Sequence, residues 1–207
     1  MYGSKGQKHR KVYESKKMIF KLPTNTDWMV RQMSLEPMRQ YAEEVFGIVS
    51  SHKPDYKNAL EIGAAWGVST LSILTAGSGK LTSVDILSSV ETPNEVKVNH
   101  LQGRHEFICQ DSHDFWKENK QAFDLIYIDG SHLYEDVIND LFRAWEWLTP
   151  DGLLVIDDYV HKNNNQFNPN AKEPTYGVSF AIMQLIQKKR IIKIGATDKV
   201  FYTWRSQ

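Results

Sequence analysis

The sequence predicts a single α/β domain with a mostly parallel, doubly wound sheet that ends in an antiparallel hairpin. Two observations carry this prediction. From residue 58 onward, short apolar runs alternate with stretches of helical periodicity, the order that builds parallel βαβ units. Near the end of the chain, two β-rich runs are separated by too few residues for a crossover helix, so they must pair antiparallel.

Seven runs define the predicted strands of this sheet. They are Ala59–Ile62, Leu81–Ile86, His105–Cys109, Phe123–Ile128 and Leu153–Ile156, followed by the hairpin runs Ile191–Ile194 and Val200–Trp204. Helices are predicted where apolar residues recur with a period of about 3.6. Three such faces stand out: Met38, Ala42, Val45, Phe46 and Val49 in a helix that begins near Ser34; Val137, Ile138, Leu141, Phe142, Trp145 and Leu148; and Val178, Ala181, Ile182, Leu185 and Ile186.

The composition is that of a globular protein with a small-molecule partner. The chain has 207 residues, 41% of them hydrophobic, and 25 basic residues balance 25 acidic ones. Zero net charge gives no electrostatic case for a nucleic-acid or membrane surface as the main partner. The sequence leaves a homo-oligomer open, because it does not locate exposed apolar patches. No apolar stretch could span a bilayer, and the single cysteine, Cys109, lies in an apolar run. We therefore expect a cytoplasmic protein with a buried thiol.

The domain division places residues 1–33 in a basic, flexible arm and residues 34–207 in one domain. The first seventeen residues contain six basic residues and a single acid, Glu14, and they show no apolar periodicity. A solvated tail is the favoured interpretation, and contact with a phosphorylated or nucleic-acid partner is the alternative. The helix near Ser34 and the loop 160–176, which is rich in Asn, are predicted to close over a substrate.

A glycine turn follows the first predicted strand. Glu61 precedes Gly63 and Gly67, which are separated by three residues, and a helix comes next. Glycines at such a turn let the backbone approach a ligand and present free amides at a helix N-terminus. The spacing differs from the Gly-x-Gly-x-x-Gly pattern that binds the pyrophosphate of NAD. The turn therefore predicts a ligand other than NAD, with a tight turn that binds nothing as the alternative.

Acidic residues end the second and third predicted strands. Asp85 lies about twenty residues beyond the glycines, where an acid can accept both hydroxyls of a ribose. A simple cap of the strand end is the alternative. Asp111 and Ser112 follow the third strand and could equally cap the helix that begins there.

The fourth and fifth predicted strands end in Asp129 with His132, and in Asp157 with Asp158. Ligands of open α/β sheets bind at the carboxyl ends of strands, so these side chains should converge. Three neighbouring carboxylates call for a cation, and Mg²⁺ or a similar divalent metal suits oxygen ligands. A metal lowers the pKa of a hydroxyl bound to it, and His132 could then remove the proton. The alternatives are that His132 merely occupies the first turn of a helix and that Asp157 and Asp158 lie in a solvated loop or a helix cap.

The glycine turn and the acids after it resemble the class I S-adenosylmethionine-dependent methyltransferases, which have a Rossmann-like sheet. The resemblance covers roughly residues 58–160 and implies S-adenosylmethionine as the cofactor. It implies that Gly63 and Ala64 line the methionine portion and that Ser69 holds its carboxylate. It further implies that Asp111 accepts from the adenine amine. The residues expected to bind the cofactor are Glu61, Gly63, Ala64, Gly67, Ser69, Asp85, Asp111, Ser112 and Asp129.

The later acids resemble the metal-dependent O-methyltransferases of the catechol and macrolide-sugar types. The resemblance implies Asp129, Asp157 and Asp158 as metal ligands and His132 as the base, with Asp129 also catalytic. A histidine base favours the sugar branch, since the catechol branch has lysine. The implied reaction is methylation of a hydroxyl on a small polar or sugar-containing molecule. A metal-independent N- or O-methyltransferase and a non-catalytic S-adenosylmethionine-binding protein are the alternatives.

Overall fold

The computed structural model describes residues 35–87, 91–159, 177–189, 191, 195–197 and 200–205. Its strands are β1 (Asn58–Ile62), β2 (Lys80–Asp85), β3 (His105–Cys109), β4 (Phe123–Ile128), β5 (Leu148–Ile156), β6 (Gly195–Ala196) and β7 (Phe201–Trp204). They form one seven-stranded sheet in the order β3-β2-β1-β4-β5-β7-β6. Strands β1 to β5 pair in parallel, and β7 is antiparallel to both β5 and β6. The predicted fold class is confirmed.

Helices cover both faces of the sheet. They are α1 (Leu35–His52), α2 (Val68–Ala76), α3 (Glu91–Val98), α4 (Ser112–Glu118), α5 (Tyr134–Trp147) and α6 (Val178–Lys189). Successive strand residues point to opposite faces, so β4 gives Ile126 and Ile128 to one hydrophobic cluster and Leu125 and Tyr127 to the other. The first cluster contains α4, α5 and α6, and the second contains α1, α2 and α3. Within the described ranges, no helix combines the length and apolarity that crossing a membrane requires.

Helix α1 packs its apolar face against α2 and the sheet. Ala42, Val45, Phe46 and Val49 are buried, as the periodicity predicts. The predicted start at Ser34 and the side chain of Met38 lie outside the described residues, as do the predicted arm 1–33 and the loop 160–176.

The terminal hairpin is confirmed, and the described part of its first strand follows the predicted run. Strand β6 is Gly195–Ala196, whereas Ile191 lies outside any strand and residues 192–194 lie outside the described ranges. The prediction of a buried thiol at Cys109 is wrong, because this side chain is exposed. Cys109 is the last residue of β3, and β3 is an edge strand, so fewer neighbours cover it than an apolar run suggests.

Candidate active site

A cavity of about 410 Å³ opens at the carboxyl ends of β1 to β4. It lies where the strand order changes direction, since β2 and β4 flank β1, and such switch points are the usual ligand sites of open α/β sheets. The predicted site residues that line it are Gly63, Asp85, Asp111, Ser112 and Asp129. Its wall also contains two residues that sequence reasoning did not select, Ile86 and Leu87, which are 67% and 57% exposed.

The glycine turn brings the backbone of β1 against that of β4. Gly63 has a φ of 85°, and a Cβ atom there would lie 2.1 Å from the carbonyl oxygen of Asp129. Gly67 has a φ of 83° and caps the N-terminus of α2. Both conformations favour glycine. The turn therefore places the N-terminus of α2 and the end of β4 on the same rim of the sheet.

The carboxylate of Asp85 organises this turn. Its Oδ2 accepts hydrogen bonds from the amides of Ala64 and Ala65 at 2.9 and 2.8 Å, and its Oδ1 accepts from the amide of Leu87 at 2.8 Å. A carboxylate has about four acceptor sites, so these three amides leave about one for a ligand. Asp85 is thus both a strand-end cap and a wall of the cavity.

Glu61 and Ser69 lie behind the turn and do not line the cavity. Glu61 is fully buried, and its Oε2 accepts from the hydroxyls of Thr70 and Ser83, both at 2.6 Å. Burial raises the pKa of Glu61, and hydrogen bonds from Ser69, Ser83 and Thr70 oppose that rise. Ser69 is 4% exposed. In this geometry both residues could influence a ligand only through the turn.

Asp111 and Ser112 begin helix α4 beside the cavity. Asp111 is the N-cap, and its Oδ1 accepts from the amide of His113 at 2.8 Å. The Ser112 hydroxyl donates to Oδ2 of Asp140 at 3.2 Å, and Trp116 Nε1 donates to Oδ1 of Asp140 at 2.8 Å. Sequence reasoning missed Asp140, although an acid within the buried face of α5 was a visible signal.

Three of the four predicted reaction-site residues come together after β4 and β5. Asp129, His132 and Asp158 each offer one ligand atom within 4.8 Å of the others. The Nε2 atom of His132 is 2.8 Å from Oδ2 of Asp158 and 3.9 Å from Oδ1 of Asp129. Hydrogen bonding to Asp129 and Asp158 raises the pKa of His132 to about 9, against a smaller opposing effect of burial. The arrangement can hold either an imidazolium or a cation between two carboxylates.

Asp157 lies apart from this set. It is 2% exposed, and its Oδ1 accepts from the amide of Asp158 at 2.7 Å. Its Oδ2 accepts from the hydroxyl of Tyr127 at 2.9 Å. Asp158 has a φ of 53°, in the left-handed region that Asp tolerates better than most residues. Asp157 thus supports the backbone that presents Asp158.

Comparisons with known proteins agree with this fold. Residues 60–159 match the family model described as a methyltransferase domain. The O-methyltransferase of Bacillus cereus in complex with SAH superposes with a TM-score of 0.65 at 15% identity, over 88% of this chain and 98% of that one. TomG of Streptomyces achromogenes, an O-methyltransferase of tomaymycin synthesis in complex with SAM, gives a TM-score of 0.63 at 14% identity, over 81% of this chain and 80% of that one.

The chain therefore has the fold of the class I, S-adenosylmethionine-dependent methyltransferases, and its residues 60–159 match a methyltransferase domain. A Mycoplasma mobile protein named as an uncharacterized RNA methyltransferase is 26% identical over 170 residues. That match covers 79% of this chain but 43% of the relative, so the chain spans less than half of the relative's length. Likeness at these identities shows the fold and not the acceptor.

Helix α1 adds a side chain to the candidate site from outside the matched residues. The Tyr41 hydroxyl donates to Oδ2 of Asp129 at 3.0 Å and lies 2.5 Å from the Tyr127 hydroxyl. Sequence reasoning missed both tyrosines. Tyr41 precedes Val45 by four residues and so lies on the apolar stripe of α1, where an aromatic residue is normally a core residue.

Proposed function

We propose that the domain is a divalent-metal-dependent O-methyltransferase that methylates a hydroxyl of a small polar or sugar-containing molecule. The observation that carries the proposal is the convergence of Asp129, His132 and Asp158 on the rim that holds the glycine turn. The two carboxylates are oxygen donors that suit a divalent cation, and the imidazole beside them is a group that can accept a proton. Methyl transfer to an aliphatic hydroxyl also needs a means of deprotonation, which such a set provides.

We assign the cavity to S-adenosylmethionine, which would supply the methyl group as a sulfonium. The methionine portion would lie against the turn at Gly63 and Ala65, which line the cavity close to the N-terminus of α2. Asp85 would accept from the ribose, and because about one acceptor site is free, accepting both hydroxyls requires it to release an amide. Ile86 and Leu87 offer an apolar surface for the adenine ring, beside Asp111 and Ser112.

In the reaction, we assign Asp129 and Asp158 to the metal, which would acidify the acceptor hydroxyl. His132 would accept the proton of that hydroxyl at Nε2, the atom that faces both carboxylates. Its pKa of about 9 keeps the imidazole protonated at neutral pH while only the carboxylates face it. His132 can therefore act as a base only after a positive charge offsets those carboxylates. Asp157, one of the three predicted ligands, would support Asp158 and not bind the ion.

The test compares two isoelectronic variants of neighbouring aspartates. Asp158→Asn and Asp157→Asn each remove one negative charge, and Mn²⁺ binding is measured by electron paramagnetic resonance in the presence of S-adenosylhomocysteine. We expect Asp158→Asn to lower Mn²⁺ affinity by more than about 100-fold, since it removes a ligand. Asp157→Asn should stay within about 10-fold, because an amide oxygen still accepts from the Asp158 amide. Equal losses would contradict the assignment, and a parent chain that binds no Mn²⁺ would reject the metal.

Removal of the metal tests the reaction itself. Release of S-adenosylhomocysteine is followed over a panel of sugar, catechol and amine acceptors, with EDTA and after Mg²⁺ is restored. We expect a hydroxyl acceptor whose turnover stops in EDTA and returns with Mg²⁺. Turnover that persists after thorough chelation would favour the metal-independent N- or O-methyltransferase. A chain that binds S-adenosylhomocysteine and turns over no acceptor would favour the non-catalytic alternative.

An RNA acceptor is the second candidate, because the Mycoplasma mobile relative is named for RNA and residues 1–17 are basic. The zero net charge of the whole chain argues against it. Labelled methyl transfer to total RNA, with and without residues 1–33, separates the two candidates. Transfer to RNA that weakens steeply with salt would favour the nucleic acid.

The cytoplasmic location and the homo-oligomer stay predictions from the sequence.

A further inference from the structure

Two tyrosine hydroxyls lie between the carboxylates of the candidate reaction site. Tyr41 from α1 contacts Oδ2 of Asp129, Tyr127 from β4 contacts Oδ2 of Asp157, and the two hydroxyls contact each other. Four oxygen-bearing side chains are thus joined in the order Asp129, Tyr41, Tyr127, Asp157. Each phenol has one hydrogen, so two of these three contacts hold a phenolic hydrogen at any one time.

The contact with Tyr41 fixes which oxygen Asp129 presents to the site. Oδ2 accepts from Tyr41 at 3.0 Å, whereas Oδ1 faces His132 Nε2 at 3.9 Å. A carboxylate held at one oxygen by a neutral donor keeps its charge and loses rotational freedom about its χ angles. Oδ1 is therefore the oxygen directed toward the other members of the set.

We propose that Tyr41 is a positioning residue that orients the Asp129 carboxylate for metal binding, so that α1 is part of the reaction site. The inference rests on the proposed metal-dependent function. It extends the site to a helix that precedes residues 60–159, the part that matches the family model. Hydrogen bonds of this kind to a ligating carboxylate usually change metal affinity by about 10–100-fold when they are removed.

Packing alone does not account for the hydroxyl of Tyr41. A phenylalanine would fill the same space beside the α1 and α2 core, but it could not donate to Asp129. Burial, followed by the nearby charges of Asp129 and Asp157, raises the pKa of Tyr41 well above its usual value, so it stays a neutral donor. It can therefore orient Asp129 without changing the charge of the set.

The test compares Tyr41→Phe with Tyr56→Phe as the matched control. Tyr56 is also a phenol whose hydroxyl donates to a buried acceptor, the carbonyl of Ile73 at 3.0 Å. It lies just before β1, at the end of that strand away from the cavity. Mn²⁺ affinity in the presence of S-adenosylhomocysteine is measured by electron paramagnetic resonance, and affinity for S-adenosylhomocysteine alone by calorimetry. We expect Tyr41→Phe to weaken Mn²⁺ binding about 10-fold or more and to change S-adenosylhomocysteine binding less than about two-fold.

The control separates positioning from general stability. Tyr56→Phe should lose a buried hydrogen bond, and hence stability, while both affinities stay at the parent values. Equal Mn²⁺ affinity in Tyr41→Phe and the parent would overturn the inference and leave the proposed metal site intact. Equal weakening in both variants would show that lost stability is the cause, which also overturns it. A parent chain that binds no Mn²⁺ would overturn the inference together with the metal-dependent function.

Discussion

The aspartates at the strand ends of this chain differ in the groups that their carboxylate oxygens already contact. Asp85 accepts three backbone amides, Asp157 accepts an amide and a phenol, and Asp158 faces an imidazole. A carboxylate whose acceptor sites point to its own backbone stabilises a turn, and one whose sites point outward can bind a ligand. Residue type and strand position do not separate these cases. The partners of the carboxylate oxygens therefore explain why these three aspartates have different expected roles.

We predict that Asp85→Ala lowers the affinity for S-adenosylhomocysteine by about 10- to 100-fold, because hydrogen bonds to a charged group each contribute about 1.5–3 kcal/mol. The change removes the proposed ribose acceptor and frees the amides of Ala64 and Ala65. Calorimetric titration measures the affinity. Asp124→Ala is the control, since that carboxylate also accepts two amides, at 2.8 and 3.0 Å from Lys57 and Asn58, at the far end of β1. Unchanged affinity in Asp85→Ala would refute the ribose assignment.

Helices α4 and α5 are joined by one buried carboxylate. Asp140 on α5 accepts from Ser112 and Trp116 on α4, and it is 1% exposed. Burial raises its pKa to about 6, although the bonds from Trp116 and Ser112 oppose the shift. The start of α4, which lines the cavity, is therefore tied to an acid that titrates just below neutral pH.

The pH dependence of stability tests this link. An acid with a raised pKa in the folded state favours folding while it is protonated, and this contribution is lost as pH rises through the folded pKa, here about 6. Asp140→Asn cannot ionise, so its unfolding free energy relative to the parent should rise between pH 4.5 and pH 7.5. Urea denaturation at both pH values measures the difference. Asp136→Asn, one turn earlier on the same helix, should show a smaller change, and a parallel shift of both variants would contradict the role of Asp140.

The sequence predicted the elements better than the contacts between them. Periodicity and β-rich runs located the strands and the buried faces of α1, α5 and α6, because both depend on local patterning. Asp111, Asp129 and His132 could be placed on one rim because parallel strands end together. Tyr41 and Ser83 were missed, since their partners lie on other elements and no local pattern marks them. Asp140 was also missed, although an acid within the buried face of α5 is a local signal. The exposure of Cys109 depends on which strand is at the edge, which is set only by the whole sheet.

At the scale of the molecule, the cavity is built from both halves of the sheet. Gly63 and Asp85 belong to the side with β1, β2 and β3, whereas Asp129 and Ser131 follow β4 on the other side. The backbone contact between Gly63 and Asp129 is where the two sides meet. A ligand in this cavity must therefore stabilise both sides together.

Hydrogen exchange can measure that coupling. At a free S-adenosylhomocysteine concentration of about 100 times its Kd, ligand binding should add about 2.7 kcal/mol to the unfolding free energy, which corresponds to about 100-fold slower exchange by global unfolding. We expect this slowing for the amides of β2 and of β4 alike, because opening either side removes half of the cavity wall. Asp85→Ala at the same ligand concentration should lose most of the protection in both strands. Protection confined to β2 would show that the two sides open independently and that Asp129 contributes little to the bound state.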